Sequence, residues 1–127
     1  MNLVHKIKQE KFQIDDKFIN NILNTTISYN DINYNFVLVK YEYHDIKTNK
    51  TEKIIIITSN FQLNKIKEAK ILFIDVTFKS CPHNFYQLLN IVSYLPDKDL
   101  IITNLTAVLT SKTETIYNYT LIEFQKL

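Results

Sequence analysis

The chain contains no glycine in 127 residues. Glycine enters the left-handed backbone region without a Cβ penalty, and two-residue hairpin turns and left-handed helix caps depend on such positions. Every tight reversal must therefore fall on Asn or Asp, whose short polar side chains tolerate positive φ. Asn-rich turns are the first expectation.

A second omission bears on partners. All 15 basic residues are lysine, and Asn, Ile, Lys and Tyr are abundant, as AT-rich coding would produce. Without arginine the chain lacks the bidentate fork that reads guanine or clamps phosphate, and lysine remains a point charge. With a formal net charge of +2, nucleic acid is permitted rather than indicated, and sequence-specific base readout is not expected.

The length is that of one domain, and 46% hydrophobic with 13% aromatic residues is enough to pack a core. The single cysteine, Cys81, excludes an internal disulfide and has no companion at metal-ligand spacing. Residues 1–12 carry no apolar run of signal-peptide length. Nor is there a run of about 18 apolar residues to span a bilayer. A soluble, intracellular protein without a membrane partner is expected. Asn-x-Ser/Thr matches at Asn24, Asn49, Asn104 and Asn118 are what so much Asn and Thr generates by chance.

Periodicity divides the chain into residues 1–30, an N-terminal helical segment; 31–70, a hairpin and a helix leading into the core; and 71–127, the core. Asp15 and Asp16 cap a helix through Asn24, with Phe18, Ile19, Ile22 and Leu23 on one side. Residues 34–43 and 53–58 alternate as a long-looped β-hairpin. Asn60 opens a helix over 60–70, with Leu63, Ile66 and Ala69 opposite Lys65 and Glu68.

Residues 71–79 are apolar on both faces, the pattern of a central strand covered on both sides. Strands over 85–94 and 100–110 continue it as a three-stranded antiparallel meander. Ser111 and Glu114 form a capping box before a C-terminal helix bearing Tyr117, Leu121 and Phe124. The class is α+β.

The chemistry concentrates on Asp75, since a carboxylate within an apolar strand is costly to bury unless paired, protonated or metal-bound. The bland alternative is an Asp at a strand end or sheet edge, hydrogen-bonded to Thr77, Ser80 or Lys79.

The surrounding residues carry more. Asp75-Val76-Thr77-Phe78, then Pro82, then Phe85-Tyr86-Gln87-Leu88, then Lys112-Thr113-Glu114 and Tyr117 follow one another in order. This run resembles the MULE-type (Mutator-like) transposase domain, whose strand reads D-G-T-F, followed by Pro, F-Y-Q-L, a strand ending in K-T-E and a helix with Tyr. The likeness covers roughly residues 31–127 and is strongest over 71–117.

The resemblance implies the first half of an RNase H-like α/β fold. It also implies a DDE-type DNA transposase in which carboxylates hold two Mg2+ or Mn2+ ions for DNA cleavage and strand transfer. Asp75 matches the first carboxylate, a metal ligand. The second and third lie further on in that family, past Leu127. The chain is accordingly expected to be a truncated, catalytically inactive fragment, or part of a longer active enzyme. DNA is the implied partner and the nucleus the implied location.

Local substitutes for the absent carboxylates are poor: Glu114 belongs to the cap, Glu123 lies down the helix, and Asp97 and Asp99 sit in a turn. His83 in a turn, and His5 and His44, carry no partner pattern. Val76 stands where the family has glycine, so a β-branched side chain is expected to crowd the approach to Asp75. A third expectation is a repurposed module that binds DNA weakly through Lys65, Lys67, Lys70 and Lys79, or that pairs with a second copy through an open sheet edge.

Overall fold

The computed structural model describes residues 13–78 and 81–127. It is an α+β domain. In chain order the elements are α1 (Asp16–Leu23), β1 (Thr26–Tyr29), β2 (Ile32–Asp45), β3 (Lys50–Ser59), α2 (Asn60–Ile66), β4 (Ile71–Thr77), β5 (Gln87–Leu95), a 3₁₀ turn (Pro96–Lys98), β6 (Leu100–Leu109) and α3 (Glu114–Gln125). All strand pairings are antiparallel, in the order β1-β2-β3-β6-β5-β4, with short β1 beside the start of β2.

The glycine-free chain turns as its composition requires. Positive φ occurs at Asn30, Asp31, Asn49, Asn84 and Asp99, all Asn or Asp. Asn30 and Asp31 connect the Tyr29↔Ile32 pair with φ of 51° and 63°, the two left-handed positions of a two-residue hairpin turn. Asp99 ends the 3₁₀ turn in the left-handed region and accepts a hydrogen bond from the Tyr94 hydroxyl at 3.1 Å.

The joining of the two halves was not anticipated. The β2–β3 hairpin is continuous with the β4–β5–β6 meander because Ile54 to Ile57 on β3 pair with Leu109 to Thr106 on β6. Ile54, Ile56, Leu89, Ile91, Leu105, Ala107 and Leu109 bury one face of this sheet beneath Ile116 of α3. Tyr119 of α3 lies 5.1 Å from the Tyr41 ring and 4.6 Å from that of Tyr43, extending the core across β2. The outward alternates Ile55 and Val108 are also buried, so the middle of the sheet is apolar on both sides.

β5 shifts register against β6 between Ile91 and Val92, leaving Asn104 as the extra residue. Asn104 is fully buried; its side-chain amide donates to the Gln62 backbone carbonyl at 2.9 Å, and its own backbone carbonyl accepts from the Thr58 hydroxyl at 2.6 Å. Gln62 in turn donates to the Thr103 carbonyl at 2.8 Å. The bulge thus anchors α2 to the sheet.

Several expectations are corrected. Residues 26–29, assigned to a helical segment, form β1. Helix α2 opens on Ser59, whose hydroxyl accepts the Gln62 amide at 3.2 Å, so Asn60 is its first helical residue. It ends at Ile66 rather than Lys70, the chain closing with tighter turns at Glu68 and Ala69. The cap of α3 is Thr113, which accepts the Ile116 amide at 3.3 Å, so Glu114 is the first helical residue and not the far member of a Ser111 box. Ser111 instead offers its carbonyl to Gln87.

The largest correction concerns β4. It is the edge strand, paired only with β5 among the described residues, and not a strand covered on both faces. Leu72 and Ile74 are exposed on one face and Ile71 and Phe73 on the other, from 48 to 61%. Apolarity on both sides is shared by a central strand and by an edge strand with bare faces.

Candidate functional site

Asp75 lies in the middle of β4, opposite Asn90 of β5, which is itself opposite Thr106 of β6. Directly paired residues project to the same face, so the three form a polar row across the meander. Thr106 Oγ1 donates to Asn90 Oδ1 at 2.7 Å, holding the amide in place beside the carboxylate.

Asp75 is exposed, and no hydrogen bond or ion pair to it is present among the described residues. The desolvation cost expected of a buried carboxylate therefore does not arise, because this strand lies at the rim of the sheet. A charge within an apolar edge strand also discourages pairing with another chain, and that is the bland reading of Asp75.

Val76 does not crowd Asp75. It pairs with Leu89, faces the α3 side and packs half-buried against the core cluster, whereas Asp75 points to the other face. The side chain standing in the family's glycine position thus contributes to the core and leaves the carboxylate accessible.

The motif segments meet in space. Gln87, fully buried at the start of β5, donates through Nε2 to the Ser111 carbonyl at 2.6 Å. Its Oε1 accepts the Tyr117 hydroxyl at 3.1 Å. Gln87 was singled out only within the resemblance; a polar residue opening an alternating apolar strand is the signal that could have marked it as a buried connector.

A two-metal centre does not fit the residues described. Asp75 supplies one anionic ligand, its lateral neighbour is a neutral amide, and no group of three His, Cys, Asp or Glu side chains able to hold a metal occurs among the described residues. Two divalent ions need several carboxylate oxygens between them, so no catalytic step is derived through Mg2+ or Mn2+.

Glu114 and Glu123 belong to α3, with Glu123 nearly buried and paired to Lys126 at 3.2 Å. Asp97 and Asp99 remain in the turn after β5. His83 is exposed at the rim of a cleft of about 820 Å³ over the β2–β3 hairpin. Lys40, Lys50 and Lys53 in that cleft are matched by Asp15, Glu42 and Glu52, so it carries no net attraction for an anion.

The lysines proposed for DNA are only partly gathered. Lys65 and Lys67 line a groove beside α2 together with the rings of Tyr34 and Phe61, and Lys70 is exposed just before β4. Lys79 lies outside the described residues. Glu68 forms ion pairs with Lys65 at 3.0 Å and with Lys98 at 3.7 Å. The Lys65 hydrogen bond, with the nearby positive charges, holds the Glu68 carboxyl below its ordinary pKa. The aromatic partners Tyr34 and Phe61 were missed because they belong to different elements.

No helix among the described residues is long and apolar enough to cross a membrane. Comparison with protein-family models, curated proteins and solved structures returned no match.

Proposed function

We propose that this chain forms the first part of an RNase H-like catalytic core of the MULE transposase kind, with Asp75 as the first of its metal-binding carboxylates. One observation carries the reading. Asp75 projects, accessible, from the first strand of an antiparallel meander whose outer edge has no strand partner among the described residues and whose neighbouring side chains are exposed apolar groups on both faces. A strand of that kind suits a core that further strand and helix cover would complete, bringing more carboxylates beside Asp75.

The Gln87–Tyr117 hydrogen bond supports the same reading, since it joins two segments that carry the family likeness. On this proposal the described residues position one carboxylate but do not by themselves perform phosphodiester chemistry. DNA is the substrate and the nucleus the working compartment, both by resemblance. The alternative of a repurposed DNA-binding module rests on the lysines, and Glu68 neutralises part of that charge.

The test uses the polypeptide from its natural source, detected with an antibody to this chain. A mass above 15.1 kDa, with Mn2+-dependent DNA cleavage lost in Asp75→Asn, supports the proposal. Cleavage that survives Asp75→Asn sinks it.

A further inference from the structure

We propose that β4 docks a second copy of this chain, the two β4 strands pairing antiparallel about a two-fold axis that passes through Ile74. The outer edge of β4 has no strand partner among the described residues. Its ladder to β5 runs unbroken from Ile71↔Tyr94 to Thr77↔Leu88, so no bulge turns the edge away from a partner. Edge strands are ordinarily guarded by Lys, Pro, a bulge or covering chain. The seven residues of β4 include neither Lys nor Pro and carry one charge, Asp75, while Ile71, Leu72, Phe73 and Ile74 are 48 to 61% exposed. Without a Lys on the strand an anionic partner has nothing to hold it, whereas a second copy offers the same apolar row.

Symmetry and charge select the register. A two-fold axis perpendicular to the sheet keeps each face on its own side, so residues of the same face must oppose one another. An axis at Ile74, the middle of the strand, pairs all seven residues. On the α3 face it sets Leu72 against Val76 and Ile74 against its own counterpart, an unbroken apolar row. On the other face Asp75 opposes Phe73, and the two Asp75 carboxylates are diagonal neighbours with Cα atoms about 7–8 Å apart. Moving the axis to Asp75 would set like charges directly opposite, and moving it to Phe73 would shorten the ladder. Four half-exposed side chains per copy bury well under the ~1,600 Å² of a standard interface, so the pair is weak and exchanges.

The inference does not use the chemistry proposed for Asp75. Further chain covering β4 in a larger polypeptide would occupy the same edge, so the pairing belongs to the 127-residue chain.

Sedimentation velocity of that chain, with oxidative cross-linking of single-cysteine variants, tests it. A concentration-dependent dimer and no larger species is expected, because one contact consumes the edge of both copies. Under mild oxidation Ile74→Cys should give a disulfide-linked dimer, since directly opposed Cα atoms lie about 4.5–5.5 Å apart, within disulfide reach. Leu72→Cys should not, its counterpart lying about 13 Å along the strand. Both positions are about half exposed and tolerate the change, and the wild type, with Cys81 buried, measures the background. Asp75→Asn should tighten the dimer about two- to fivefold by removing the diagonal repulsion, and added salt should strengthen the wild type toward it. A wild-type monomer throughout the micromolar range overturns the proposal. So does cross-linking of Leu72→Cys equal to that of Ile74→Cys, an open-ended assembly, or an Asp75→Asn chain that associates no better than wild type.

Discussion

The Tyr117 hydroxyl of α3 donates to the Gln87 amide oxygen at 3.1 Å, while the same amide donates to the Ser111 carbonyl at 2.6 Å. One buried side chain thus ties the first residue of β5 to the loop and helix that follow β6. Tyr117→Phe should cost about 1 kcal/mol, one neutral hydrogen bond. Gln87→Leu leaves both partners without their bonds and should cost roughly 2–4 kcal/mol. Urea-denaturation midpoints of the two variants decide this; a Gln87→Leu loss no larger than that of Tyr117→Phe would refute the connector role.

Asp75 is exposed and hydrogen-bonded to nothing described, so Asp75→Asn should change stability by no more than about 0.5 kcal/mol. Any metal-dependent cleavage by the native polypeptide should nevertheless disappear. Thermal unfolding and a plasmid-nicking assay on the same preparation separate the two effects. A large stability loss would show that the carboxylate is a structural element instead.

Residues 71–74 expose apolar side chains on both faces of β4, whose outer edge has no strand partner among the described residues. The isolated chain should therefore self-associate at micromolar concentration through β4, and Ile74→Lys, which places a charge on the edge, should return it to monomer. Sedimentation velocity measures this directly. A clean monomer for the wild type would contradict the expectation.

Helix α3 is capped by Thr113 rather than Ser111. Thr113→Ala should cost about 1 kcal/mol and Ser111→Ala clearly less, because the Ser111 contribution to Gln87 is made by its backbone carbonyl. The reverse order in chemical denaturation would reinstate a Ser111 cap.

The hydrogen bond from Lys65, with the nearby positive charges of Lys65 and Lys98, holds the Glu68 carboxyl below the ordinary carboxylate range. A depressed folded-state pKa gives stabilisation that is complete above the unfolded value and fades as pH falls through the folded one. The stability difference between wild type and Glu68→Gln should accordingly be present at neutral pH and fade as the pH falls below the ordinary carboxylate range through the depressed pKa of Glu68. Because the pair is solvent-screened, added salt should shrink it as well. A difference that persists unchanged into acid would remove the ion pair as its cause.

Element types were legible where local chemistry dominates. Asp15 capped α1 as expected, and the alternation around Val39 and Tyr41 and around Ile54 and Ile56 marked the hairpin. Boundaries were less legible: Ser59 and Asn60 are both good caps, and their choice depends on Gln62 reaching Ser59 and Thr103 together.

Of the candidate site, Asp75 was legible as the ionisable residue in an apolar strand, but its burial was not. Lys65 and Lys67 were visible, while their alignment with Tyr34 was not, since Tyr34 lies on β2 and its meeting with Phe61 is set by how α2 packs on the sheet.

The sequence by itself determined that reversals fall on Asn and Asp, because no glycine was present to take positive φ at Asn30, Asp31, Asn49, Asn84 and Asp99. It also determined the meander, through alternation that is local along each strand. Only the tertiary structure decided that β3 joins β6 and that β4 stands at the rim, leaving Asp75 in solvent. Strand order depends on pairings between residues far apart in the chain, and a strand apolar on both faces reads the same at the centre of a sheet and at its bare edge.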